Sequence, residues 1–119
     1  MHQCLNCESN LAVTKLHCDT CQVSYVGEFS LPRLARLSPA QQHLAEQLVV
    51  AAGNLKQMAA SLEVSYPTVR KRLDELVEAL DELRRGDDAR ATALLKAVEA
   101  GKMTPETAAR LIKELKGGL

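Results

Sequence analysis

Residues 53–80 read GNLKQMAASLEVSYPTVRKRLDELVEAL. Leu55, Met58, Ala59 and Leu62 recur at helical spacing behind Asn54, a residue suited to capping a helix. Glu63-Val64-Ser65 is a turn. Ser65 can cap a second helix, in which Val69, Leu73, Leu76, Val77, Leu80 and Leu83 line one face. A short helix, a tight turn and a second helix make a helix-turn-helix. The small Ala59 and Ala60 allow close helix approach, and Val64 and Val69 are placed to pin the two helices together. At about 100° per residue, Pro67, Thr68, Arg70 and Lys71 fall away from the buried stripe, with Arg72 nearer its edge. A recognition helix meets base edges and phosphates at this end. The candidate DNA-contacting set is therefore Lys56, Gln57, Ser65, Tyr66, Pro67, Thr68, Arg70, Lys71 and Arg72. Arg33 and Arg36 are further candidates for phosphate contact. The bland alternative is a solvated Arg-Lys-Arg turn offset by Asp74, Glu75 and Glu78. The cations precede the acids, which favours DNA.

Working outward, LPRLARLSPAQ (31–41) is a connector into a helix start, with Ser38 as N-cap and Pro39 at the first helical position. Leu44, Ala45, Leu48, Val49 and Ala52 form one face of that helix, and Gly53-Asn54 breaks it. On the far side, Gly86-Asp87-Asp88 reads as the end of the third helix. The domain reading is a module at 1–30, a helix-turn-helix domain with an extended third helix at 31–86, and a helical hairpin at 87–119. In the hairpin, Leu94, Leu95 and Val98 mark one helix, Gly101 ends it, and Thr104-Pro105-Glu106 starts another with Ala108, Leu111, Ile112 and Leu115 as its stripe. Gly117-Gly118 then ends the chain. The hairpin is small enough to need a surface, either the preceding helix or a second copy. The alternation of four and three through residues 69–83 is also a short heptad-like seam. It makes Leu76, Leu80 and Leu83 a candidate oligomer seam, although an intramolecular core explains the spacing equally well. A dimer would present two recognition helices to half-sites about one DNA turn apart.

All four cysteines lie in HQCLNCESNLAVTKLHCDTCQ (2–22), as two Cys-x-x-Cys pairs. Loose period-2 patterning through Leu11, Val13, Leu16, Val23, Tyr25 and Phe29 suggests two short β-hairpins with a cysteine pair at each turn. About 30 residues bury too little apolar area to fold unaided, so a staple is expected. Four thiolates from two tight turns suit a tetrahedral Zn²⁺ and leave no open position. Cys4, Cys7, Cys18 and Cys21 are thus the candidate ligands of one structural zinc per chain. Iron suits the same shell. Disulfides are disfavoured by a reducing compartment, and a thioredoxin-type site lacks its α/β surroundings. His2 and His17 flank the cysteines, and either could compete as a ligand, but a complete set of four cysteines favours solvent or supporting roles; His43 reads as a surface residue.

The 119-residue chain carries equal numbers of acidic and basic residues and no Trp. Bulk charge therefore does not argue for nucleic acid, and the case rests on local charge. No apolar run approaches a membrane span, and no secretory leader is evident. The expected location is the cytoplasm, with no membrane partner. Neither a phosphate-cradling glycine loop nor a nucleophile–base set is evident, so no enzyme activity and no small-molecule substrate are expected. The expected fold is mainly α: a small N-terminal β zinc ribbon, a three-helix helix-turn-helix domain and a C-terminal helical hairpin. The expected function is a zinc-containing, DNA-binding transcription regulator acting on double-stranded DNA. The homodimer or higher oligomer, if formed, would use the third helix and the hairpin. The alternative is an interaction adaptor or oligomeric scaffold that contacts the transcription machinery without reading DNA.

The two cysteine pairs, LPRLARLSPAQ and the helix-turn-helix segment together resemble a bacterial and archaeal family of unknown function. Its members join an N-terminal zinc ribbon to a helix-turn-helix similar to region four of sigma factors. The resemblance covers roughly residues 4–80, and SYPTVRKRLDEL is its most specific string. It implies a metal-binding, DNA-binding regulator. One departure stands out: such knuckles usually carry Gly after the second cysteine, where positive φ is favoured, and here Glu8 and Gln22 occupy those places. The tail ALLKAVEAGKMTPETAARLIKEL is similar to short bacterial C-terminal hairpins suspected of oligomerisation.

Overall fold

A computed structural model describes residues 2–8 and 10–116. Gly117 and Gly118, read above as the end of the chain, lie outside the described residues. The fold is mainly helical with one small sheet. Strands β1 (Val13–His17) and β2 (Ser24–Phe29) form an antiparallel hairpin, followed by a 3₁₀ turn (Arg33–Arg36) and helices α1 (Pro39–Val50), α2 (Leu55–Leu62), α3 (Tyr66–Glu99) and α4 (Pro105–Leu115). The register pairs Leu16 with Tyr25 and His17 with Ser24, with a bulge between Val13 and Lys15. The expected first hairpin is reduced to a single antiparallel bridge between Gln3 and Asn10.

Local chemistry starts each helix. Ser38, Asn54, Ser65 and Thr104 each accept a hydrogen bond from the amide three residues on, satisfying a donor with no intrahelical partner. At Ser38 the bond is reciprocated by the Gln41 side chain, giving a full capping box. Gly101, at φ 72°, closes α3. Its amide reaches the Val98 carbonyl at 3.0 Å, and the Lys102 amide reaches that of Ala97 at 2.9 Å, the Schellman arrangement.

The core joins Leu37, Leu44, Ala51, Met58, Ala59, Val69, Leu73 and Leu76. Leu76 is buried there, and Leu80 and Leu83 pack against it, so the candidate oligomer seam is occupied within the chain. A second contact lies further along, where Leu94 of α3 and Ala108 of α4 are both buried. The tail helix therefore docks on the preceding helix. One expectation for α1 fails: Val49 is exposed, and Ala52 lies past the helix end at φ 51°.

The largest departure is the third helix. The break expected at Gly86-Asp87-Asp88 is absent, and α3 runs unbroken for 34 residues, about 50 Å. The hairpin expected at 87–119 is consequently the second half of α3 plus α4. A lone Gly costs a helix only about 1 kcal/mol, and Asp87 is buried by tertiary partners. Its Oδ2 accepts from Arg33 Nε at 3.0 Å and from Arg36 at 2.6 Å, while its Oδ1 accepts from Arg36 at 2.9 Å. The two arginines belong to the 3₁₀ turn, so the clamp ties the connector to α3. The extended arrangement gives a radius of gyration of 18.2 Å, against about 13.5 Å for a compact chain of this length.

Candidate metal centre and nucleic-acid interface

Each cysteine pair sits in a tight turn that places amides around sulfur. In the first, the Glu8 amide donates to the Cys4 carbonyl at 2.9 Å and the Asn6 amide to Cys4 Sγ at 3.4 Å. In the second, the Gln22 amide donates to the Cys18 carbonyl at 2.8 Å. The amide of Cys21, then its side chain, then the amide of Thr20 pull the Cys18 thiol below its ordinary pKa. A thiol stabilised as thiolate is a better metal ligand. The positions that usually carry glycine are left-handed here as well: Glu8 has φ 61° and Gln22 φ 63°. The knuckle backbone is thus adopted without the glycines.

At Gln22 the side chain offsets that strain. Its Nε2 donates to the Asp19 carbonyl at 2.6 Å, which turns Oε1 towards His17 Nε2 at 3.1 Å. A carbonyl oxygen only accepts, so this geometry assigns the proton to His17 Nε2. His17 Nδ1 lies 2.7 Å from Ser24 Oγ across the hairpin. With both nitrogens engaged, His17 braces the second turn and is not a spare ligand.

The structure brings Cys4 to Cys7 and Cys18 to Cys21, each pair at its own turn. Among the described residues, no three His, Cys, Asp or Glu side chains are grouped closely enough to hold an ion. No disulfide links the four. The donor chemistry nonetheless suits zinc, with soft thiols on two preformed turns and amides aimed at sulfur.

The helix-turn-helix is formed by α2, a turn with Glu63 at φ 55°, and the start of α3. Val69 and Met58 are fully buried between the helices, and Val64 packs beside them. Outward from this wedge, Tyr66, Pro67, Arg70 and Lys71 are exposed on the first two turns of α3, and Lys56 and Gln57 are exposed at the start of α2. Arg70 lies 3.4 Å from Asp74. Ser65 and Thr68 are occupied with each other: the Thr68 amide donates to Ser65 Oγ, and the two hydroxyls are 2.8 Å apart. Arg72 lines a different surface, a groove of about 440 Å³ with His43 and Glu75. Residues 54–73 carry four cations and one acid, and residues 74–82 carry five acids and no cation. The first turns of α3 are therefore the locally positive end.

Both Arg33 and Arg36, candidates for phosphate contact, are paired with Asp87; Arg36 is buried by the pairing, with 9 % of its side chain exposed, whereas Arg33 keeps 30 % exposed. Sequence reasoning missed this clamp. Its only signal is two arginines three apart before a helix and one Asp in helical phase with Leu83.

Two family models match adjoining stretches of the chain: the DUF2089 zinc ribbon at residues 4–35 and the domain of unknown function (DUF2089)-HTH at residues 37–82. Together they span about two thirds of it. No curated protein and no solved structure matches the chain.

Proposed function

The chain belongs to the DUF2089 family, and we propose that it is a zinc-containing helix-turn-helix protein that binds double-stranded DNA and regulates transcription in the cytoplasm. The observation that supports this most is the positive, solvent-facing start of α3. Arg70 and Lys71 stand there beside Tyr66 and Pro67, while the acids begin at Asp74. Arg70 and Lys71 would contact phosphates or base edges in the major groove, and Lys56 and Gln57 would contact the flanking backbone. Cys4, Cys7, Cys18 and Cys21 would hold the metal, whose role is to cross-link a module with little core of its own. The protein binds and does not catalyse.

The test is an unbiased selection from random duplex DNA, followed by titration at several salt concentrations. Affinity should fall by about 0.9 log units per log[salt] for each phosphate neutralised. Arg70→Ala with Lys71→Ala should flatten that slope. No enriched site and no binding at low salt would sink the reading.

A second reading has its own support. Leu5, Tyr25 and Val26 of the ribbon are exposed apolar side chains, as on a module that docks on protein, such as a component of the transcription machinery. A partner retained after Arg70 and Lys71 are both changed to Ala would favour this adaptor role.

A further inference from the structure

Leu34, Val49, Val50 and Val77 are 57 %, 78 %, 71 % and 58 % exposed. They come from the connector, α1 and α3, yet form one surface. Leu34 lines a groove of about 500 Å³ with Val49 and Val50, and another of about 510 Å³ with Val77 and Arg84. Together the four side chains expose on the order of 400 Å², comparable to the largest apolar patch of an ordinary monomer. That is about half of the ~800 Å² that each partner gives to a standard interface. Interfaces are only about 56–65 % apolar, so a polar rim supplies the remainder.

We infer that this face is the interface between two copies of the chain. The rim argues for a second copy over a foreign partner. Glu46 borders the α1 end of the patch, without an ion-pair partner among the described residues. Arg84 borders the α3 end, held loosely at 3.8 Å from Asp81. A two-fold axis through Leu34 lays the α1 end of one copy on the α3 end of the other, and each Glu46 meets an Arg84. Such an interface is self-complementary, as a two-fold requires. The formal net charge of zero means that two identical copies approach without long-range repulsion. The inference stands apart from the DNA reading and replaces the Leu76–Leu80–Leu83 seam, which the core already uses.

Sedimentation equilibrium of the zinc-loaded full chain, with circular dichroism as a check on folding, tests it. The wild-type chain should reach twice its monomer mass below ~100 µM. Val49→Asp and Val77→Asp, both at exposed sites, should each raise the dimer dissociation constant at least tenfold. Leu95→Asp, at an exposed position on the far half of α3, should leave it unchanged. Glu46→Arg and Arg84→Glu should each weaken the dimer, and the double variant should restore it. A wild-type monomer throughout overturns the proposal, even if that monomer binds another protein through Val49 and Val77. A dimer indifferent to both valine changes overturns it as well.

Discussion

Asp87→Ala should destabilise the protein by about 3 kcal/mol, the lower end of the cost of breaking a buried pair. The size follows from what is left behind. Arg36 has only 9 % of its side chain exposed and gives Asp87 two of its three hydrogen bonds. Its Nε already has no partner among the described residues, so losing Asp87 leaves a buried, uncompensated cation. Arg33, at 30 % exposure, can turn to water, and its share is closer to that of a surface pair, at most ~1 kcal/mol. The chain has no Trp, so the assay is urea unfolding followed by circular dichroism at 222 nm, with an unchanged m-value as the sign that only stability moved. A triple change, Arg33→Met, Arg36→Met and Asp87→Leu, should return to within ~1 kcal/mol of wild type, because well-packed apolar groups replace buried ion pairs without net loss. A cost below ~1 kcal/mol for Asp87→Ala would refute the reasoning, since the clamp would then behave as an exposed contact. The pH dependence gives a second check. Burial pushes the Asp87 carboxyl up, but the hydrogen bonds and charges of Arg36 and Arg33 outweigh it and hold the group below its ordinary 3.8. The folded value lies under the unfolded one. The stabilisation is therefore complete above about pH 5 and is lost as pH falls through 3.8 and below. Asp87→Asn should flatten that acid limb.

Gly86→Ala should stabilise the chain by about 1 kcal/mol in the same assay, since a Cβ there meets nothing within 4 Å and the residue is helical. Stripping the metal with a chelator should remove amide protection from residues 2–30 while the 222 nm helix signal persists, because the core at Leu37–Leu76 does not include the ribbon. Gln22→Ala keeps the φ of 63° but loses the bonds to Asp19 and His17. It should lower zinc affinity by about tenfold in a competition with a chromophoric chelator, on the scale of lost supporting interactions. Gln22→Gly, which relieves the backbone, should lose less.

What was legible in the sequence was local. Ser38, Asn54, Ser65 and Thr104 each announce a helix because capping depends on one side chain and an amide three residues away. The knuckles and the helix-turn-helix were legible for the same reason. What failed depended on distant partners. Gly86-Asp87-Asp88 has the composition of a break, yet Leu83 and Leu94 are eleven residues apart, three helical turns, so the stripe runs through without a phase shift. Arg33 and Arg36 look like free cations until the fold places Asp87 against them. Val49 fits the α1 stripe by spacing but is left 78 % exposed.

The clamp also explains why a buried charge sits where an apolar residue would extend the stripe. Asp87 lies between the Leu76–Leu83 packing and the α3–α4 packing in which Leu94 and Ala108 are buried. A Leu there would join them into one apolar track along which the connector could shift by a turn. One carboxylate bound by two arginines three residues apart has a single register. This register fixes where the ribbon's connector meets α3, about 30 Å along the helix from Pro67. The proposed role is therefore specificity more than stability, and the triple apolar variant separates the two. It should keep near-wild-type unfolding free energy while amide resonances of residues 31–37 split into more than one set. A single sharp set, with unchanged connector-to-α3 Overhauser contacts, would remove the register role and leave Asp87 as a stabilising contact alone.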